Sequence, residues 1–205
     1  MAFIVQRDLP KLSLAPSESE REKAAYTHAA IREHLESDPA LEKYRIDTYL
    51  HGSYKNSTNV RGDSDVDMGS LTNEVFNYDT NWLPTAPRHD YGIARSSLKD
   101  SVDASLSQLP PGDFGYWQYR ADVLTSLRRE YGESVFDGNK AITVRGNTYR
   151  LDADVLPCNA FRQYYQQGSD ATYHEGITFL TKQYERVVNF PHQHFTPSYS
   201  PPSAF

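Results

Sequence analysis

Apolar positions along the chain fall into alternating helical and strand-like periods. Ala24, Ile31 and Leu35 recur at helical spacing behind Ser17-Glu18-Ser19-Glu20, where a Ser three positions ahead of a Glu is the capping-box pattern. A helix over roughly 18–37 is predicted, closed by Ser37-Asp38-Pro39 because the residue before a proline is pushed out of helical conformation. From Tyr44 to His51 the pattern becomes strand-like and breaks at Gly52-Ser53, and the polar stretch from Tyr54 to Ser64 reads as an exposed loop. Asp65-Val66-Asp67-Met68-Gly69-Ser70-Leu71 alternates strictly. In a strand this puts Asp65, Asp67 and Gly69 on one face and Val66 and Met68 on the other.

Residues 73–92, with Pro84 and Pro87 among polar neighbours, are predicted to be a surface loop, with a fold over a ligand as the alternative. Two amphipathic helices follow. One runs through Ala94, Leu98, Val102, Leu106 and Leu109 to the breaker Pro110-Pro111-Gly112; the other has Trp117, Ala121, Leu124, Leu127 or Arg128, and Tyr131 as its stripe and stops at Gly132. Ala141–Val144 and Thr148–Leu156 read as strands joined by a Gly146-Asn147 turn, with a further pair across Gly176–Lys182 and Glu185–Val188. The fold class is therefore α/β of the α+β type, a mixed or antiparallel sheet flanked by helices. The predicted organisation is a core over residues 1–190 and a Pro-rich, disordered tail over 191–205.

Composition narrows the picture. A chain of 205 residues suits one domain, and 38% hydrophobic residues with fifteen tyrosines are too many for disorder throughout. The net charge of -6 argues against general nucleic-acid binding, which rests on Lys and Arg neutralising phosphates. Cys158 is the only cysteine, so no intrachain disulfide forms. The opening Met1-Ala2-Phe3-Ile4-Val5-Gln6-Arg7 lacks the apolar run of a signal peptide, so a cytoplasmic location is expected. No stretch approaches the ~20 apolar residues that span a bilayer, and no membrane insertion is expected. Without an export signal, the sequon Asn56-Ser57-Thr58 reads as chance.

The candidate chemistry lies in Leu50-His51-Gly52-Ser53, followed after eleven residues by Asp65-Val66-Asp67. A Gly-Ser turn at a strand end lets backbone amides and a hydroxyl approach phosphate oxygens closely. Carboxylates at i and i+2 of a strand sit about 7 Å apart along the chain at a rise of about 3.3 Å per residue, near enough to share paired divalent ions. A third carboxylate would come from Asp152 or Asp154 in Arg150-Leu151-Asp152-Ala153-Asp154-Val155-Leu156-Pro157, which alternation puts on one face, and the chemistry does not choose between them. Lys55, Thr58 and Arg61 are candidate contacts to phosphate or base. Arg128-Arg129 reads as a solvated pair, and His192-x-His194 lacks further ligands nearby. His174 and Cys158 read as packing or surface residues.

These residues resemble the polymerase β-like nucleotidyltransferases, whose signature is a Gly-Ser turn, a spacer, an Asp-x-Asp strand and a later lone Asp. Within that superfamily the chain is most similar to the group of oligoadenylate synthase and cyclic GMP-AMP synthase, in particular its bacterial cyclic-oligonucleotide synthases of anti-phage defence. The likeness covers most of residues 17–195, through the first helix, the segment Gly52-Ser53-Tyr54-Lys55-Asn56-Ser57-Thr58-Asn59-Val60-Arg61, Ser64-Asp65-Val66-Asp67, Asp154-Val155-Leu156-Pro157 and Asn189-Phe190-Pro191.

The resemblance implies Asp65, Asp67 and Asp154 as catalytic metal ligands, since the third ligand of the group precedes a short apolar pair and a proline. Gly52 and Ser53 would meet the β- and γ-phosphates. Two Mg2+ ions, replaceable by Mn2+, would serve transfer from a nucleoside triphosphate to a ribose hydroxyl with loss of pyrophosphate, giving a cyclic or linear oligonucleotide messenger. Relatives continue after the Asn-x-Pro region into a helical half, whereas this chain runs into Thr196-Pro197-Ser198-Tyr199-Ser200-Pro201-Pro202. The resemblance thus implies a missing C-terminal helical half, with a partner chain or self-association completing the cleft. The alternatives are an inactive nucleotide- or partner-binding homologue, and transfer to RNA ends or to a small-molecule hydroxyl.

Overall fold

The computed structural model describes residues 16–52, 65–83, 98–168 and 170–190. Helix α1 spans Glu18–Ser37 behind a reciprocal capping box: the Glu20 amide donates to the Ser17 hydroxyl at 3.3 Å, and the Ser17 amide donates to the Glu20 carboxylate at 2.7 Å. Each bond satisfies an amide that the first helical turn leaves without a partner. The helix buries Ala24, Thr27, Ile31 and Leu35 and ends at Asp38, held extended ahead of Pro39. A 3-10 turn over Glu42–Tyr44 leads into β1, Ile46–Leu50. The remaining elements are β2 (Val66–Trp82), α2 (Leu98–Ser107), α3 (Tyr116–Tyr131), β3 (Val135–Asp137), β4 (Ile142–Val144), β5 (Ala153–Gln167), β6 (Asp170–Leu180) and β7 (Arg186–Asn189). Among the described residues no helix is long and apolar enough to cross a membrane.

The sheet has seven strands and is mixed. Strand β5 runs parallel to β2 along most of its length, and every other pairing is antiparallel. The order is β1-β2-β5-β4-β3; the second edge of β5 is shared, with β4 on Ala153–Val155 and β6 on Asn159–Gln167. One face carries the main core. Val66 and Met68 from β2, Ala153 and Val155 from β5, and Ile142 and Val144 from β4 are fully buried against Ile31 and Leu35 of α1 and Tyr119, Val123 and Leu127 of α3. Asp38 ties the two helices together, accepting hydrogen bonds from the Ser126 hydroxyl and from Arg129. Arg120, 3% exposed, pins α3 to the β3–β4 turn through Asp137 Oδ1 at 2.6 Å and the carbonyls of Lys140 and Gly138.

The structure corrects several expectations. Residues 73–82 continue β2 instead of forming a loop; residues 84–92 lie outside the described residues. Phe76, Tyr78, Thr80 and Trp82 alternate with Asn77, Asp79 and Asn81, a strand period that the polar residues and the following prolines obscure, and pairing with β5 supplies the backbone bonds. Strand β5 begins at Ala153, not Thr148, and runs on to Gln167, so the connection from β4 spans residues 145–152. Helix α3 buries Tyr119, Arg120, Val123, Ser126 and Leu127, a face rotated from the expected stripe, and Ala121 is exposed. Buried polar Arg120 and Ser126 hide the true period. Helix α2 is described over Leu98–Ser107, with Ala94 outside the described residues; none of its described residues is fully buried, and it is held by Lys99 and Asp103 on Thr80. The tail over 191–205 and the sequon lie outside the described residues.

Candidate active site

The geometry begins where β1 ends. The His51 amide donates to the Asp67 carbonyl at 3.0 Å, and Gly52 turns the chain at φ +68. A Cβ on Gly52 would stand 2.0 Å from Asp67 Oδ2 and 2.9 Å from the Asp67 Cβ. Only a glycine therefore lets the turn lie against this carboxylate.

Asp67 and Asp154 are register partners across the parallel β2–β5 pair. Their neighbours Val66, Met68, Ala153 and Val155 face the core, so both carboxylates project from the opposite face, on strands about 4.8 Å apart. Strand β4 adds a residue that the sequence did not single out. Thr143 lies opposite Asp154 and its hydroxyl donates to Asp154 Oδ1 at 2.6 Å. This fixes the carboxylate's rotamer and leaves Oδ2 as its other acceptor. The signal was faint, since Thr143 is one hydroxyl in a short strand and only the register gives it meaning.

The other candidates are placed differently. Asp65 stands one residue before β2 and is exposed. Asp152, just before β5, accepts from Arg145 and from the Gly146 amide, each at 2.7 Å. Partial burial would raise its pKa, but these two donors outweigh that and hold the carboxyl below the usual range. Ser53, Lys55, Thr58 and Arg61 lie outside the described residues. His174 stacks on Tyr165 at a ring separation of 4.2 Å. Cys158 is fully buried beneath the Tyr49 hydroxyl at 3.6 Å, and burial pushes its thiol up to about 12, which makes it a packing group and not a nucleophile.

Among the described residues no group of three His, Cys, Asp or Glu side chains is already gathered to hold a metal ion. The donors present nonetheless fit a hard divalent cation. Two carboxylates in register would repel each other without a cation, and oxygen donors match Mg2+ or Mn2+ far better than a thiophilic metal.

A mixed sheet covered by helices on one face, with paired carboxylates and a glycine turn on the other, defines a nucleotidyltransferase core. No protein-family model matches the chain. It is 33% identical over 196 residues to the cyclic dipyrimidine nucleotide synthase CdnE of Cecembia lonarensis, covering 95% of this chain and 59% of that protein. It is 36% identical over 180 residues to the cyclic UMP-AMP synthase of Rhodothermus marinus, covering 84% of this chain and 53% of the other. The solved structure of the Rhodothermus marinus CdnE synthase with Apcpp and Upnpp superposes with a TM-score of 0.66 at 31% identity, over 94% of this chain and 59% of that one. The Elizabethkingia meningoseptica CdnE synthase with GTP and Apcpp gives a TM-score of 0.60 at 27% identity, over 94% and 57%. By sequence and fold the chain is homologous to the CdnE cyclic-nucleotide synthases and belongs with the polymerase β-like nucleotidyltransferases, and it spans about half to three-fifths of the length of the curated relatives it matches.

Proposed function

We propose that this chain supplies the catalytic core for metal-dependent transfer of a nucleotidyl group from a nucleoside triphosphate to a ribose hydroxyl, with release of pyrophosphate. The product on this reading is a cyclic or linear oligonucleotide messenger of anti-phage defence. The observation that carries it is the pairing of Asp67 with Asp154 on the sheet face opposite the α1–α3 core, with Gly52 packed against Asp67. Sequence kinship to named cyclic-nucleotide synthases supports the same reading.

Asp67 and Asp154, with Asp65 from just before β2, would hold Mg2+, which when bound neutralises phosphate charge and makes the acceptor hydroxyl more acidic. The protein's share is placement. Thr143 holds the Asp154 carboxylate in one orientation, and the His51 amide fixes the β2 backbone at Asp67. Gly52 lays the backbone against Asp67, and Ser53, Lys55, Thr58 and Arg61 are the proposed contacts to the triphosphate.

The test is incubation of the full chain with labelled triphosphates and Mg2+ or Mn2+. Pyrophosphate release is expected from the parent and none from Asp67→Asn or Asp154→Asn, while unchanged release from either variant refutes the assignment. Mass spectrometry of the product separates an oligonucleotide from nucleotidyl transfer to an RNA end or a small-molecule hydroxyl.

A further inference from the structure

We propose a second ligand site on β5 and β6, on the same sheet face as Asp67 and Asp154 but well along the strands from them, that takes a guanine base. A cavity of about 160 Å3 opens there, bounded among the described residues by Leu71, Phe76, Ala160, Arg162, Glu175 and Ile177, with others. Ala160 and Arg162 alternate in step with Asp154 along β5, and Phe76 is the register partner of Ala160. At a rise of about 3.3 Å per residue Ala160 lies about 20 Å from Asp154, so the cavity is separate from the carboxylate pair.

Arg162 is a half-buried cation without an acceptor. Its guanidinium lies over the Phe76 ring at 4.2 Å and over the Tyr173 ring at 4.8 Å, one ring from each strand beside this stretch of β5. These contacts use the flat faces of the group and hold it in place, while its N–H donors point outward in its own plane. Among the described residues these donors have no hydrogen bond or ion pair, and they are not sealed from solvent. A fork of donors that is fixed, accessible and unused suits a ligand with paired acceptors.

Glu175 supplies the opposite chemistry. It is the register partner of Arg162 across β5 and β6, a placement that sets Cβ atoms about 4.5–5.5 Å apart. The two side chains nevertheless form no ion pair, since the rings on either side hold the guanidinium. A carboxylate acceptor and a guanidinium donor thus stand side by side, each incomplete. A bare anion would be drawn to one and repelled by the other.

A ligand that completes both carries two acceptors beside two donors on one flat edge. Guanine does so: O6 and N7 accept from a guanidinium, and the neighbouring N1–H and N2–H donate to a carboxylate. Adenine has an exocyclic donor where guanine has O6, and presents no such donor pair to Glu175. Leu71, Ala160 and Ile177 give the ring an apolar floor. The volume is below the ~300 Å3 of a drug-sized pocket, which suits one base with its ribose and phosphate left in solvent. The site stands whether or not the chain transfers nucleotides.

The test uses the full chain, 15N-labelled and held in EDTA so that no divalent ion loads the carboxylate pair. Guanosine monophosphate should shift the Ala160, Arg162 and Ile177 amides saturably and leave Gly52 unmoved. Adenosine monophosphate and ribose 5-phosphate should bind at least tenfold more weakly. Glu175→Gln, at an exposed position, should weaken guanosine monophosphate at least tenfold. Arg162→Met, which keeps apolar contact with both rings and loses the donors, should do the same, and Asp67→Asn should leave the affinity unchanged. The proposal is overturned by non-saturable shifts, by adenosine monophosphate binding as tightly, or by ribose 5-phosphate binding as tightly, which would leave an anion contact only. Unaltered affinity in Glu175→Gln also overturns it, as does loss in Asp67→Asn, which would put the nucleotide at the carboxylate pair.

Discussion

Gly52→Ala tests the site's central contact, because the geometry separates what the substitution does to the backbone from what it does to Asp67. At φ +68 an alanine incurs about 1–2 kcal/mol of left-handed strain. The new methyl would also sit 2.0 Å from Asp67 Oδ2, where ordinary contact needs about 3.4 Å, so the carboxylate must move by more than about 1 Å. Rotating the side chain does not clear the clash, since the Asp67 Cβ itself is only 2.9 Å away. Displacement of a catalytic group by about 1 Å costs on the order of 100-fold in rate, while the strain lowers Tm by about 2–8 °C for a chain of this size.

Gly132→Ala supplies the control. Gly132 also has positive φ, at +60, but a Cβ there meets nothing within 4 Å. At ψ -132 Gly132 lies outside the left-handed helical region, so an alanine there is strained at least as much; pyrophosphate release and thermal melting, measured on both variants, should show a melting loss in each, no smaller in Gly132→Ala, and a rate loss confined to Gly52→Ala. A Gly52→Ala protein that keeps its rate within about threefold would refute the claim that the turn positions Asp67.

Three other outcomes follow from single contacts. Thr143→Val removes the donor to Asp154 Oδ1; a hydrogen bond to a charged group is worth about 1.5–3 kcal/mol, so kcat should fall by about tenfold or more, with Thr143→Ser restoring it. Arg120→Met leaves the Asp137 carboxylate and two carbonyls without their shared buried donor. Lys182 keeps Asp137 paired through Oδ2 at 2.9 Å, so the loss falls on the two carbonyls and should be about 1–3 kcal/mol in chemical denaturation, and a loss below about 0.5 kcal/mol would contradict the assigned role. Burial raises the Asp38 pKa, but bonds from Ser126, the Ala40 amide and Arg129 outweigh it and hold the carboxyl below its ordinary value. A folded-state pKa below the unfolded one means that its stabilisation is present above about pH 4 and disappears as pH falls through the lowered value; urea midpoints should drop there, and less steeply in Asp38→Asn.

What the sequence revealed divides along the range of the interactions. The capping box at Ser17 and Glu20, the end of α1 ahead of Pro39 and the two-faced pattern around Asp67 are local, and each is present in the structure. The extension of β2 through residues 73–82 is only partly local: Phe76, Tyr78, Thr80 and Trp82 alternate as a strand would, but the Asn and Asp residues between them read as loop, and the pairing that holds it comes from β5. The same distinction explains why the residues alone left Asp152 and Asp154 as equals. A strand pattern of period 2 fixes which face a residue takes but not its register, and a slip of two positions would set Asp152 beside Asp67 with every core residue still facing inward. The choice is made by the connection over 145–152, where Arg145 and the Gly146 amide capture Asp152 before β5 begins. That capture neutralises one carboxylate, starts the strand at Ala153, and brings Asp154 level with both Asp67 and the Thr143 hydroxyl. A loop that looked like a two-residue turn thus sets the register on which the carboxylate pair depends.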